Sequence, residues 1–280
     1  MSKVLLVGVG LINGSFSLAL KNRRDVEFAG SDLSEEHLTI AKERGIIDQS
    51  FSLEEGISWA DFILVGTPVH AIKEILPKVL DLVREDQLVV DFGSTKETIC
   101  KAVAGHARRA NFLAAHPISG TEHSGPDAAF GALFQDKNLI ICEKEQTNAL
   151  LLEDFLSLAK SVGFYFTFMS AQEHDRHLAY ISHLSHISSY VLSNTVLQKE
   201  KDGEVILDLA GSGFESTVRL AKSSPAMWSS IFNENKQQVL DSIKAYQAEL
   251  DELKSMIENE EVEKVSKYLE EGRKIRKILR

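Results

Sequence analysis

The stretch Val4-Leu5-Leu6-Val7-Gly8-Val9-Gly10-Leu11-Ile12-Asn13-Gly14, answered further on by Gly30-Ser31-Asp32, decides the fold. An apolar run meets a glycine turn, a helix begins at Leu11, and a second apolar run ends on an acid. That order opens a doubly wound α/β sheet with a dinucleotide site at its first turn. Gly8 permits the tight turn and Gly10 lets backbone approach a pyrophosphate, while a helix starting with Leu11 and Ile12 offers free N–H groups and a positive dipole end to the phosphates. Asp32 then accepts hydrogen bonds from the adenosine ribose hydroxyls. No arginine follows it in Leu33-Ser34-Glu35-Glu36, so NAD is favoured over NADP, whose 2′-phosphate would face a carboxylate. The usual third glycine is Asn13 here, which is expected to loosen helix-to-strand packing unless Gly14 takes over that role. Thr67, just past the apolar run 61–66, joins the expected cofactor-binding set.

Outward from that turn, short Val/Ile/Leu/Phe-rich runs recur at 3–9, 26–31, 61–66, 87–92, 111–115, 138–142 and 164–168. They are continuous rather than alternating, as strands covered on both faces are. Stretches 34–44, 69–83, 95–108 and 147–161 between them carry apolar residues at helical spacing. The expected fold is therefore a Rossmann-type α/β domain over 1–169, its sheet ending near Phe168 with an edge hairpin close by. From Ser170 the strand signal stops, and 172–199, 204–222 and 233–279 read as helices, the last broken near Glu258-Asn259-Glu260. An all-helical domain over 170–280 follows from this. The helix 172–199 is apolar or small on most sides and wants burial all round, which a second copy of the chain supplies, so a homodimer is expected.

Composition narrows the partners. With 280 residues, 44% apolar, the chain can bury a full core. A formal net charge of −10 argues against nucleic acid or an anionic membrane, and an anionic small molecule would need a local cationic pocket. Cys100 and Cys142 form no C-x-x-C pair, so they read as reduced thiols. No run approaches a membrane span and strand one starts at Lys3, which makes the cytoplasm the expected compartment.

Three clusters carry chemistry. In Asp91-Phe92-Gly93-Ser94-Thr95-Lys96 a strand passes through a turn into a helix, where Ser94 either caps the helix or meets a ligand. In His116-Pro117-Ile118-Ser119-Gly120-Thr121-Glu122 a histidine emerges at a strand's carboxyl end, where a nicotinamide ring would lie; its ordinary pKa suits a general base. The third is Glu173-His174-Asp175-Arg176-His177 through Ser182-His183-Leu184-Ser185-His186. On a regular helix Asp175, Ser182 and His186 share one face, His183 lies about 60° away, and His174 and His177 fall on another side. His183-x-x-His186 lacks the intervening acid and third ligand of a zinc site, so no metal is expected. His183 is either a buried structural histidine or a site residue. Arg219, alone in a weakly charged segment, is the choice for binding a carboxylate through paired hydrogen bonds.

Five patterns in order, G-x-G-L-I at Gly8–Ile12, D-x-G-S-x-K at Asp91–Lys96, H-P-I-x-G-T-E at His116–Glu122, the His174–His186 run, and T-x-R-x-A with W-x-x-I-x-x-x-N from Thr217 through Trp228 to Asn235, resemble the prephenate/arogenate dehydrogenases of tyrosine synthesis. The resemblance spans nearly the whole chain. It implies NAD-dependent oxidative decarboxylation of prephenate to 4-hydroxyphenylpyruvate, with arogenate to tyrosine as the alternative. His116 would take the C4 hydroxyl proton and Ser94 would orient it. His186 and Arg219 would hold the substrate's carboxylates, with His183, Thr121 and Glu122 beside them, and Glu122, Asp175 and Trp228 would form a polar network partly across the dimer. No fused mutase or regulatory domain is expected. A β-hydroxyacid dehydrogenase of the same plan would need a lysine on the second-domain helix, where none stands before Lys199. A methyltransferase using S-adenosylmethionine and a catalytically silent NAD sensor are the readings from other classes.

Overall fold

The computed structural model describes residues 2–21, 25–121, 123–201 and 206–278, arranged as two compact units, Met1–Asn235 and Lys236–Arg280. In the first unit, strands β1 (Ser2–Val7), β2 (Val26–Ser31), β3 (Gln49–Ser50), β4 (Phe62–Val65), β5 (Leu88–Asp91), β6 (Phe112–Pro117), β7 (Lys137–Cys142) and β8 (Phe164–Met169) form one sheet in the order β3-β2-β1-β4-β5-β6-β7-β8. All neighbours run parallel except β6 and β7. The expected hairpin is thus an antiparallel pair joined by a long connection, and β8 returns parallel to β7.

The continuous apolar runs are explained by two cores, one on each face. Val4 and Leu6 of β1 join one cluster with Phe16, Phe28 and Phe155, while Leu5 and Val7 join the other with Ile57, Ile72 and Leu76. Alternate side chains point to opposite faces, so a strand covered twice has no polar alternation to show. Helices α1 (Leu11–Lys21), α2 (Glu35–Glu43), α3 (Leu53–Trp59), α4 (Val69–Leu82), α5 (Glu97–Val103) and α6 (Ala149–Val162) supply the cover. The short β3 and α3 escape an apolar-run reading, although Ser52-Leu53-Glu54-Glu55 is a capping box and forms one.

The change from sheet to helices at Met169/Ser170 lies inside the first unit, where α7 (Ala171–Leu178), α8 (Leu184–Lys201), α9 (Ser212–Val218) and α10 (Pro225–Glu234) follow. Between α7 and α8 the backbone takes one π-helical turn, Ala179–His183. The stretch read as one helix over 204–222 is a 3-10 turn at Leu207–Leu209, α9 and a second 3-10 turn at Arg219–Lys222, with 202–205 outside the described residues. Gly211 stands at the break before α9, as the residue preceding its first turn. Helix α10 starts where Ser224 caps it and Pro225 occupies its first turn. The second unit is α11 (Lys236–Glu258) and α12 (Val262–Arg273), broken after Glu258 where Glu260 takes φ 56.

Candidate active site

Strand order reverses between β1 and β4, which opens a crevice at their carboxyl ends. Gly8, at φ 84, follows β1, and a Cβ there would lie 3.1 Å from Thr67 Cγ2 after β4. Gly10 has nothing within 4 Å of where a Cβ would stand, so backbone is bare on that side. The N–H groups of Leu11 and Ile12 at the start of α1 make no hydrogen bond among the described residues, and the buried Thr67 hydroxyl has none either. Asp32, at the end of β2, is held by Val9 N–H to Oδ2 at 2.9 Å and Ser34 N–H to Oδ1 at 2.9 Å. Free donors at a helix start, bare backbone beside them and an oriented carboxylate fit a dinucleotide.

Asn13 does not loosen the packing. Its buried Nδ2 donates to Gly8 O at 2.8 Å, Leu64 O at 3.0 Å and Val7 O at 3.3 Å, tying α1 to the ends of β1 and β4. The missing glycine contact is replaced by hydrogen bonds, and Gly66 must lack a side chain because Asn13 Nδ2 lies 2.6 Å from where its Cβ would be. Gly14 approaches Ala129 and Ile46 rather than a strand.

The carboxyl ends of β5 and β6 lie on the same edge and bring Ser94 and His116 to it. Lys96, fully buried, pairs with Asp91 and donates to Ala115 O at 2.9 Å, clamping the turn that carries Ser94 to the strand that carries His116. Burial pushes the Asp91 carboxyl up, and the Lys96 ammonium opposes it.

The partner of His116 is a residue that the regular helix wheel sets aside. His116 Nδ1 lies 2.8 Å from His174 Nε2, and His174 Nδ1 lies 2.7 Å from Asp175 Oδ1. Asp175 also accepts Lys96 N–H at 2.7 Å and Glu97 N–H at 2.9 Å, so it holds the first turn of α5. Burial holds both imidazoles well below their ordinary range; His174, Lys96 and His183 add to the effect on His116. Ser94's hydroxyl makes no hydrogen bond among the described residues, and the hydrogen-bond partner of the His116 ring is His174.

Asn235 Nδ2 donates to Asp175 O at 2.7 Å and reaches His183 Nδ1 at 3.3 Å. The π turn changes the phase of the helix, so His183, expected off the face of Asp175, shares its partner. His183 is 1% exposed, lowered to about 4 by burial, and meets Trp228 edge-on. His186 stacks on Trp228 with ring centroids 3.5 Å apart, and Ser182 O lies 3.0 Å from its Nδ1. Burial lowers His186 and the charge of nearby Arg219 lowers it further; Arg219 is itself exposed. Among the described residues Trp228 links to Asp175 through His183 and Asn235, and its buried Nε1 has no partner. Thr121 is exposed and its hydroxyl accepts His123 N–H at 3.2 Å; Glu122 lies outside the described residues.

His174, Lys96 and Asn235 had no role in the sequence reading. The signal for Lys96 was its spacing from Asp91 across one strand-to-helix turn. Asn235 and His174 are brought to the site by tertiary packing and an irregular turn, which residue spacing does not encode.

A sheet with a dinucleotide-binding crevice, and an imidazole cluster on its carboxyl edge, place the molecule among doubly wound dinucleotide-binding proteins of oxidoreductase plan. Two family models match it: prephenate dehydrogenase, nucleotide-binding domain, over 16–167, and prephenate dehydrogenase, dimerization domain, over 170–271. The chain belongs to the prephenate dehydrogenase family. It is 31% identical to the prephenate dehydrogenase of Bacillus subtilis over 98% of this chain and 75% of that protein. The structure of Aquifex aeolicus prephenate dehydrogenase in complex with hydroxyphenyl propionate and NAD+ superposes with a TM-score of 0.93 at 31% identity, covering 100% of this chain and 99% of that one. Synechocystis arogenate dehydrogenase gives 0.80 at 26% identity, covering 98% and 99%.

Proposed function

We propose that the protein is an NAD-dependent prephenate dehydrogenase, which converts prephenate to 4-hydroxyphenylpyruvate and carbon dioxide in tyrosine synthesis. The observation that carries this reading is the His116 ring on the carboxyl edge of the sheet, in contact with His174 and through it with Asp175, with burial holding its pKa down. Bound in the crevice, NAD supplies the hydride acceptor. Gly8, Gly10, Leu11 and Ile12 receive its pyrophosphate, Asp32 its adenosine ribose, and Thr67 and Ser94 lie along its path. His116 takes the proton of the C4 hydroxyl as the C4–H bond breaks with its electron pair. The bond to the ring carboxylate then breaks, carbon dioxide leaves, that electron pair completes the aromatic ring, and the proton held on His116 returns to the C4 oxygen to give the phenol. Burial keeps the imidazole unprotonated and so available to accept at neutral pH, while the same burial disfavours the imidazolium that results.

Arg219 and His186 hold the substrate's carboxylates, Thr121 and Glu122 act as further polar contacts for the substrate, and His183 and Trp228 support His186 from behind. The same arginine receives the side-chain carboxylate of arogenate, and the Synechocystis neighbour makes arogenate the second reading. In this reading residues 1–169 carry the cofactor, and residues 170–280 the substrate groups and the contact between two copies. Two buried free thiols support a reducing compartment, the cytoplasm.

The test crosses NAD and NADP with prephenate and arogenate and follows reduced cofactor by absorbance. Turnover with prephenate and NAD is the expected result. Turnover with arogenate alone would replace the substrate, and none with either would remove the assigned reaction.

A further inference from the structure

We infer that His174, anchored by Asp175, is a positioning residue that sets the tautomer of His116 so that the Nε2 of His116 faces the cleft without a proton. The inference rests on hydrogen-bond direction. Asp175 receives two backbone N–H groups from the first turn of α5, Lys96 N–H on Oδ1 at 2.7 Å and Glu97 N–H on Oδ2 at 2.9 Å. Burial pushes its pKa up, and those two donors oppose the shift and hold it as an acceptor. His174 Nδ1, 2.7 Å from Oδ1, is therefore the donor of that pair. His174 is 0% exposed and stays neutral, so its one ring hydrogen is spent on Asp175 and its Nε2 can only accept. The atom facing it at 2.8 Å is His116 Nδ1, which must carry the hydrogen. A neutral imidazole has one, and the lone pair of His116 is left on Nε2.

The arrangement also serves the charged state. When the substrate O–H bond breaks and an Nε2–H bond forms, the imidazolium keeps its Nδ1–H on His174, whose other nitrogen ends on a carboxylate. The other charged or titratable groups acting on His116 are Lys96, already paired with Asp91, and His183. Asp175 thus has two tasks, since the oxygen that orients His174 also fixes the start of α5 behind Ser94.

The kinetic part rests on the proposed reaction, but the tautomer is readable without it. In long-range nitrogen–proton spectra of the enzyme labelled in histidine, the His116 signals are assigned by their loss in His116→Asn. At neutral pH they should show a protonated Nδ1 and a bare Nε2. In His174→Phe the Nε2–H form should appear, kcat should fall about a hundredfold with KM nearly unchanged, and the acid limb of kcat should move to lower pH as the carboxylate-backed acceptor is lost. His174→Gln keeps an acceptor near the place of Nε2 and should recover kcat to within about tenfold of the original. An Nε2–H tautomer in the unaltered enzyme overturns the inference, as does a His174→Phe variant with unchanged kcat and pH profile. Should His174→Phe not fold, the unaltered spectrum and His174→Gln still decide. A bare Nε2 in an enzyme that turns over no cyclohexadienol would remove the reaction and leave the tautomer assignment standing.

Discussion

His116 and Arg219 ask different things of a substitution. Removing the imidazole takes away a group that acts only as the proton leaves, so His116→Asn should bind NAD normally while kcat drops by about 10²–10⁴-fold. Titration of cofactor fluorescence beside steady-state kinetics separates the two, and unaltered turnover would refute a base at 116. Arg219 is exposed, so its charged hydrogen bonds to a carboxylate contribute about 1.5–3 kcal/mol rather than the larger value of a buried pair. Arg219→Ala should raise KM about ten- to a hundredfold with kcat nearly kept; a normal KM would assign the anchoring to another cation. Asp32 and His116 were readable from the chain because each sits at the end of an apolar run, where a parallel sheet presents its ligand groups. His174 was not. Its adjacency to Asp175 puts it about 100° round a helix, and only the packing of α7 on α5 and β6 reveals that both side chains reach the same edge.

Among elements, α1 depends on a substitution inside its own glycine pattern. Asn13→Ala would leave the carbonyls of Gly8 and Leu64 buried without their donor, and should cost about 1–3 kcal/mol, measured as a lower denaturation midpoint at unchanged slope. Asn13→Gly would restore the common glycine spacing and should still lose stability, because the hydrogen bonds go with the side chain. A gain in stability from that variant would show that the glycine packing, not the amide, is what the helix needs. Elements whose faces are both buried were visible as apolar runs, which is why β1, β2, β4 and β5 fell within a few residues of expectation. The π turn at Ala179–His183 had no such mark. One extra residue in a turn leaves composition untouched while it rotates every later side chain, so the face drawn through Asp175 and His186 did not survive it.

For the molecule as a whole, helix α8 presents a face problem that one chain does not solve. Val191 is 58% exposed and Leu197 47%, and at 100° per residue they lie about 120° apart around the axis. Ile181, in the π turn before it, is 71% exposed. Apolar side chains left open on more than one side of a helix ask for cover from another chain, in keeping with the match of residues 170–271 to a dimerization domain. A two-fold dimer uses the same patch on both copies, so one substitution counts twice. Val191→Asp should therefore weaken association by roughly a hundredfold or more, since two buried methyl-bearing side chains are lost and two charges would have to be desolvated. Sedimentation of the unaltered protein at micromolar concentration should give twice the chain mass, and its melting temperature should rise with protein concentration. The Val191→Asp variant should sediment as a single chain at the same concentration. A single-chain mass for the unaltered protein would mean that α8 keeps its apolar surface in water and would refute the dimer, whereas a Val191→Asp variant that still sediments at twice the chain mass would place the contact elsewhere in the chain.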